Sequence, residues 1–205
     1  ASDHGPEHLT NALGLREQGW HVSADDTDPE NLAAAVDAGV IDAAGLDPDA
    51  EITFVAVPVL AIADQVKRAL AETTGVVTDV GSVKGSVCRS IDDRRFLGGH
   101  PMAGSELDGL DGAQADLFAG AVWVLTPGAD IDDATFSTVT AVVSSLGADV
   151  VAIDPDRHDH LVAVVSHVPH LTAATLMGLA STRAEEHAAL LLLAAGGFRD
   201  MTRVA

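Results

Sequence analysis

Residues 52–59 read ITFVAVPV, an unbroken apolar and largely β-branched run. A strand that is apolar on both faces cannot meet water on either, so it needs a packed layer above and below it. Residues 60–70 supply one such layer, since their apolar side chains recur at helical spacing. The strand-then-turn unit returns at VVTDVGSVKG (76–85), FLGGHP (96–101) and AVWVLTP (121–127). Upstream, residues 9–19 have helical character and GWHVSADD (19–26) reads as a short strand ending in two acids. A helix over 29–38 follows, with Pro29 suited to its first turn. A helix over 134–146 and a strand over 149–153 complete the series. Apolar strands alternating with helices predict an α/β fold, a doubly wound, Rossmann-like parallel sheet. Beyond Pro155 the strand signals stop, and residues 161–168, 171–180 and 184–195 are rich in alanine and leucine. The expected organisation is an α/β domain over 1–155 and an all-helical region over 156–205.

Composition narrows the partners. With 205 residues, 47% of them hydrophobic, the chain can bury one ordinary core with a second small unit attached. No apolar stretch in the sequence approaches the roughly 20 residues that span a bilayer, and ASDHGPEH has neither the basic start nor the apolar middle of a signal peptide. No membrane partner is expected. The net charge of −20 and the presence of only two lysines, Lys67 and Lys84, would repel a phosphate backbone, which excludes nucleic acid. Cys88 is the single cysteine, so no intrachain disulfide is possible, in keeping with a cytoplasmic location. His158, His160, His167 and His170 lack the cysteine or carboxylate that would complete a metal set, and no metal is expected.

In an open α/β sheet ligands bind beyond the carboxyl ends of the strands. That rule selects Asp26 (or its neighbour Asp25), Val57 and Pro58, Asp79 to Ser82, and His100. An acid after the second strand is placed to hydrogen-bond a ribose 2′-hydroxyl and to repel a 2′-phosphate, which favours NAD over NADP. The same aspartate could equally be a capping residue at a strand end. His100 lies in LGGHPMAGSE, where glycines 98, 99 and 104 would permit close backbone approach to a ligand and Ser105 and Glu106 add polar groups. A base poised against a hydroxyl is one reading of it; a loop histidine bonded to backbone is the other. His167 and His170, three residues apart, would share a helical face as donors to an anionic ligand. In GGFRDMTRVA, Arg203 could clamp a substrate carboxylate, or pair with Asp200 beside the Gly196–Gly197 turn.

VTDVGSVKG, FLGGHPMAGSE, LFAGAVWVLTP, SHVPHL and GGFRDMTRVA, in this order and spacing, resemble the prephenate and arogenate dehydrogenases of tyrosine biosynthesis. The similarity runs from about Gly19 to the last residue, with GGHPMAGSE and GGFRDMTR its most specific segments. It implies oxidation of a cyclohexadienol at its ring hydroxyl, with hydride passing to a nicotinamide and carbon dioxide leaving. His100 then matches the catalytic histidine and Ser82 a serine that bonds near the same hydroxyl. Arg203 matches the arginine for a substrate carboxylate. His167 and His170 match pocket-lining histidines, with Gly196 in the neighbouring segment, Glu106 an acid near the entrance and Asp200 its possible partner. NAD is the implied cofactor, with NADP possible, and a homodimer through the C-terminal helices the implied assembly. The helical region becomes the start of a substrate and dimerisation domain.

The sequence departs from the family at both ends. Gly5 aligns with the second glycine of the phosphate loop, but Asp3 and His8 occupy the other two glycine positions. The first strand, central in the usual order, is missing from the pattern, so a gap in the sheet and a truncated chain are expected. AALLLLAA (188–195) likewise expects further helices to pack against. Two alternatives stand beside this reading: another β-hydroxyacid dehydrogenase, and a silent paralogue that binds the ring substrate or tyrosine.

Overall fold

The computed structural model describes residues 7–103, 115–184 and 193–203. Gly5 and Glu106 lie outside the described residues. The chain divides into two compact units, one ending at His158 and the other beginning at Asp159.

The first unit runs α1 (Glu7–Glu17), β1 (Ser23–Ala24), α2 (Pro29–Asp37), β2 (Ala43–Ala44), β3 (Ile52–Val55), α3 (Val59–Glu72), β4 (Val76–Asp79), α4 (Gly85–Arg89), β5 (Phe96–Pro101), β6 (Val122–Thr126), α5 (Asp133–Ser145) and β7 (Asp149–Ala152). Its elements follow local chemistry. Asp28 caps α2 by accepting the Glu30 N–H, with Pro29 at the first helical position. Helix α3 buries Ile62, Val66, Ala69 and Leu70, one face of a 3.6-residue repeat. Ile62 and Val66 are fully enclosed, each worth about 1.5–3 kcal/mol of burial. Against β4, they form one core with Val77, Val87 and Phe96. A second core gathers Leu97, Phe118, Trp123 and Leu125 under Val139, Val142 and Val143 of α5.

Two features differ from the sequence reading. Strand β3 is four residues long, not eight, and Ile52, Thr53 and Phe54 are half-buried. Pro58 ends the extended run, because its fixed φ of −51° suits the position before a helix and α3 starts at the next residue. Second, β5 and β6 pair antiparallel, Gly98 opposite Thr126 and His100 opposite Val124, while the neighbouring pairs are parallel. The sheet is therefore mixed. Strand direction leaves no mark in composition: Trp123, Val124 and Leu125 are as buried as a parallel strand would be. The strands form two sheets, β1-β2 and β3-β4-β5-β6-β7, divided where the sequence pattern expects a gap. Among the described residues β1 and β3 do not pair with one another.

From Asp159 the described residues are mainly helical. Helix α6 (Pro155–Val162) passes through a π-turn (Ala163–His167) into α7 (Val168–Ala184), and α8 (Gly196–Thr202) packs on α7. The π-turn has a local cause. Pro169 has no N–H to donate and its ring crowds the carbonyl four residues earlier, that of Val165. The widened turn relieves this, with the Val168 N–H reaching back to the Ala163 carbonyl. The helical run 155–182 is 28 residues, long and apolar enough by length and composition to cross a membrane. This corrects the sequence reading that no such stretch exists, which took the segments on either side of Pro169 separately.

Candidate functional site

Strand β4 ends at Asp79, and its carboxylate organises the loop that follows. Oδ2 accepts the Gly81 N–H at 3.0 Å and the Lys84 ammonium, and Oδ1 accepts the Gly99 N–H at 3.2 Å. Lys84 Nζ also donates to the Gly99 carbonyl at 2.8 Å. Both side chains are wholly buried. In such surroundings an unpaired charge is strongly unfavourable, so the pair must stay formed. It ties the loop carrying Ser82 to the backbone of β5 one residue before His100. Asp79 was expected to bind a cofactor; its carboxylate instead faces inward and is spent on this tie. Sequence reasoning passed over Lys84. Its signal was a rare lysine five residues after an aspartate in a glycine-bearing loop.

His100 is half-buried and lies in strand β5, not in a loop. The glycines before it also serve another purpose than expected. A Cβ on Gly99 would sit 2.6 Å from the Asp79 carbonyl, and one on Gly98 would sit 2.5 Å from Thr126 Oγ1. They are glycine because the protein itself closes on them. The His100 ring meets His158: Nδ1 lies 2.9 Å from His158 Nε2, the rings edge to face at 5.1 Å. His158, in α6, is 1% exposed. The sequence reading considered it only within a metal set, and no metal-holding cluster occurs among the described residues. Ser82 is half-buried in the β4–α4 loop.

At the end of β1 the two acids separate. Asp26 Oδ1 accepts the Asp28 N–H at 2.8 Å, closing a turn before α2. Asp25 directly follows the strand and pairs with Arg68 of α3 at 2.7 Å. Hydrogen bonds from Arg68 to Glu72 and to Asp25 raise the guanidinium pKa, keeping it charged. After β3, Val57 is half-buried and Pro58 exposed, and Leu60 is 98% exposed at the start of α3, whose N-terminus has no side-chain cap. Acid acceptors, an exposed apolar lip and a helix N-terminus without a side-chain cap suit a ribose diol, a planar base and an anionic group.

In the second unit, His167 closes the π-turn and His170 lies in the first turn of α7, both exposed. Gly196 opens α8 with nothing among the described residues within 4 Å of a would-be Cβ, Asp200 lies within it and Arg203 forms its C-cap, exposed. A cavity of about 210 Å³, lined in part by Cys88, Asp93, Gly98 and Thr126, contains none of the predicted site residues.

The α/β unit, with acids after β1 and an open lip after β3, defines a nucleotide-binding fold of the Rossmann class, continued by a helical unit. Residues 11–152 match the family model described as prephenate dehydrogenase, nucleotide-binding domain, and residues 154–205 that of the prephenate dehydrogenase dimerization domain. The chain belongs to the prephenate dehydrogenase family. It is 32% identical over 208 residues to prephenate dehydrogenase of Bacillus subtilis, covering 95% of this chain and 56% of that protein. Among solved structures, prephenate dehydrogenase from A. aeolicus, in complex with hydroxyphenyl propionate and NAD+, aligns at 30% identity and a TM-score of 0.88, over 98% of this chain and 74% of that one. Arogenate dehydrogenase from Synechocystis aligns at 30% identity and a TM-score of 0.81, over 98% and 76%. The chain spans about half the length of the curated relatives it matches.

Proposed function

We propose that this chain carries the core of an enzyme that oxidatively decarboxylates prephenate, or its amino counterpart arogenate, in tyrosine biosynthesis. The observation that carries the reading is His100 at the carboxyl end of β5, with the backbone of the preceding Gly99 pinned by Asp79 and Lys84 and the His100 Nδ1 engaged by His158. With hydrogen on Nδ1, the ring presents Nε2 as the atom that holds the proton of a substrate hydroxyl while hydride leaves the carbinol carbon. Ser82, on the pinned loop, is a second partner for that hydroxyl. Loss of carbon dioxide makes the ring aromatic, so the protein's task is mainly to position its reactants.

NAD, when bound, supplies the hydride acceptor. Asp25, directly after β1, is the acid for the ribose, rather than Asp26, whose carboxylate closes its own turn. Val57, Pro58 and Leu60 offer the apolar edge. Gly5 and Glu106, assigned from the resemblance to the phosphate loop and the site entrance, lie outside the described residues. Arg203 is the cation for a substrate carboxylate, with His167, His170, Asp200 and Gly196 as further candidates in the helical unit. Val164, Val165, Val168 and Leu171 are 55–68% exposed and recur on one helical stripe. Such a stripe suits burial by a second copy of the chain, hence a homodimer. A cytoplasmic location is part of the reading, in keeping with Cys88 as the single cysteine.

The test is formation of reduced nicotinamide by the purified chain with prephenate and with arogenate, each with NAD and NADP, alongside His100→Asn. Turnover should fall by about 10²–10⁴-fold in the variant, the range of a positioned general base. Unchanged turnover in His100→Asn would remove His100 from the chemistry. A folded chain that binds the ring substrate without turning it over would point to a sensor.

A further inference from the structure

We propose that His158 is a positioning residue that holds His100 in one orientation and one tautomer, with the proton on Nδ1 and the lone pair on Nε2. The proposal rests on the reading of His100 as the group that holds the substrate proton.

Between His100 Nδ1 and His158 Nε2, 2.9 Å apart, there is room for one hydrogen. If His158 donated it, neutral His100 would carry its own hydrogen on Nε2 and could only donate towards a hydroxyl. If His100 donates it, Nε2 is an acceptor. The second arrangement also survives the reaction. A protonated His100 bears hydrogens on both nitrogens and needs an acceptor at Nδ1, which the Nδ1–H tautomer of His158 already provides. In the first arrangement two N–H groups would come to face each other, and the His158 ring would have to turn or exchange its proton.

That ring has little freedom to turn. It is 1% exposed and packs edge to face on His100 at an interplanar angle of 73°. Its backbone N–H donates to the Asp154 carbonyl at 2.8 Å, and Asp154 Oδ1 caps the next turn through the Arg157 N–H at 3.0 Å. The Arg89–Asp156 ion pair joins this first turn of α6 to α4. A fixed, dry partner of this kind makes a hydrogen bond strong and directional. The logic is that of a histidine oriented by the bond at its other nitrogen. Here a second imidazole, 58 residues away in sequence, replaces the usual carboxylate or carbonyl.

The decisive measurement is the tautomer of His100, read from long-range proton–nitrogen correlations of selectively labelled histidine, in the parent and in His158→Phe and His158→Gln. The parent should show hydrogen on Nδ1. His158→Phe, which keeps a ring but cannot accept, should shift His100 towards the Nε2–H form and lower kcat about 10–100-fold with little change in KM, the scale of a supporting partner of a functional histidine. His158→Gln, whose carbonyl can reach the place of Nε2, should restore both. An Nε2–H tautomer in the parent overturns the proposal, as does His158→Phe with tautomer and kcat both unchanged. If His158→Phe fails to fold, the parent tautomer and the His158→Gln variant decide the matter. The tautomer needs no turnover to be read, so a failure of the proposed activity is seen separately.

Discussion

Removing the Asp79 carboxylate tests the buried tie beneath the site. In Asp79→Ala, Lys84 keeps its place against the Gly99 carbonyl but loses its counter-charge, and the Gly81 and Gly99 amides lose their acceptor. Breaking a buried pair from one side costs about 3–5 kcal/mol. At about 2–4 °C per kcal/mol for a domain of this size, the thermal midpoint should fall by roughly 6–20 °C. Trp123 is fully buried, so its fluorescence reports the transition. The double variant Asp79→Asn with Lys84→Met removes both charges while nearly conserving volume, and should recover to within about 2 kcal/mol of the parent. A loss under about 1 kcal/mol in Asp79→Ala would refute the reasoning, since taking the Asp79 charge from a buried ammonium costs more than that. So would a double variant no more stable than the single one.

Gly99→Ala forces a Cβ against the Asp79 carbonyl at 2.6 Å, and chemical denaturation should show a loss of about 1–3 kcal/mol; Gly196→Ala, whose Cβ meets nothing within 4 Å among the described residues, should leave stability within about 0.5 kcal/mol. Asp25→Ser removes the acid and releases one of the two carboxylates that hold Arg68, so fluorescence titration should show the NAD to NADP affinity ratio falling; Asp26→Ser should leave that ratio unchanged. Asp42 is held below the usual carboxylate range, first by the Val22 N–H and then by Arg16. The stability it adds is complete above its unfolded value of about 3.9 and is lost as pH falls through the lower folded value. Asp42→Asn should therefore flatten that part of the acid limb of a stability–pH curve; an unchanged limb would exclude the contribution.

Local periodicity carried the elements that the sequence displays well. The spacing of Ile62, Val66 and Leu70 marks α3, and the Asp28–Pro29 pair marks the start of α2, because both are decided within a few residues. What depends on distant partners was not legible. The inward turn of Asp79 depends on Lys84 and on a strand 20 residues away, and the approach of His158 to His100 on folding across 58. The glycines at 98 and 99 were visible, yet their purpose was not: the same residue admits a ligand or a neighbouring strand, and only packing tells which. The direction of β6 had no signal either, since burial selects side chains and not polarity. In the candidate site, His100 and Ser82 stood out by residue type and position, whereas the residues that steady them looked ordinary.

The π-turn ahead of Pro169 bears on how this chain is compared with others and how it can be altered. It accommodates one residue more than an α-helical turn, and one residue corresponds to roughly 100° of rotation. His170 and everything beyond it in α7 therefore face where they do because of a single extra residue among 163–167. Deleting one residue there would close the widened turn and swing Val168, Leu171 and His170 together by that angle, while bringing the Pro169 ring back against the carbonyl four residues before it. A one-residue gap in an alignment at this point is thus a change of facing rather than a neutral slip.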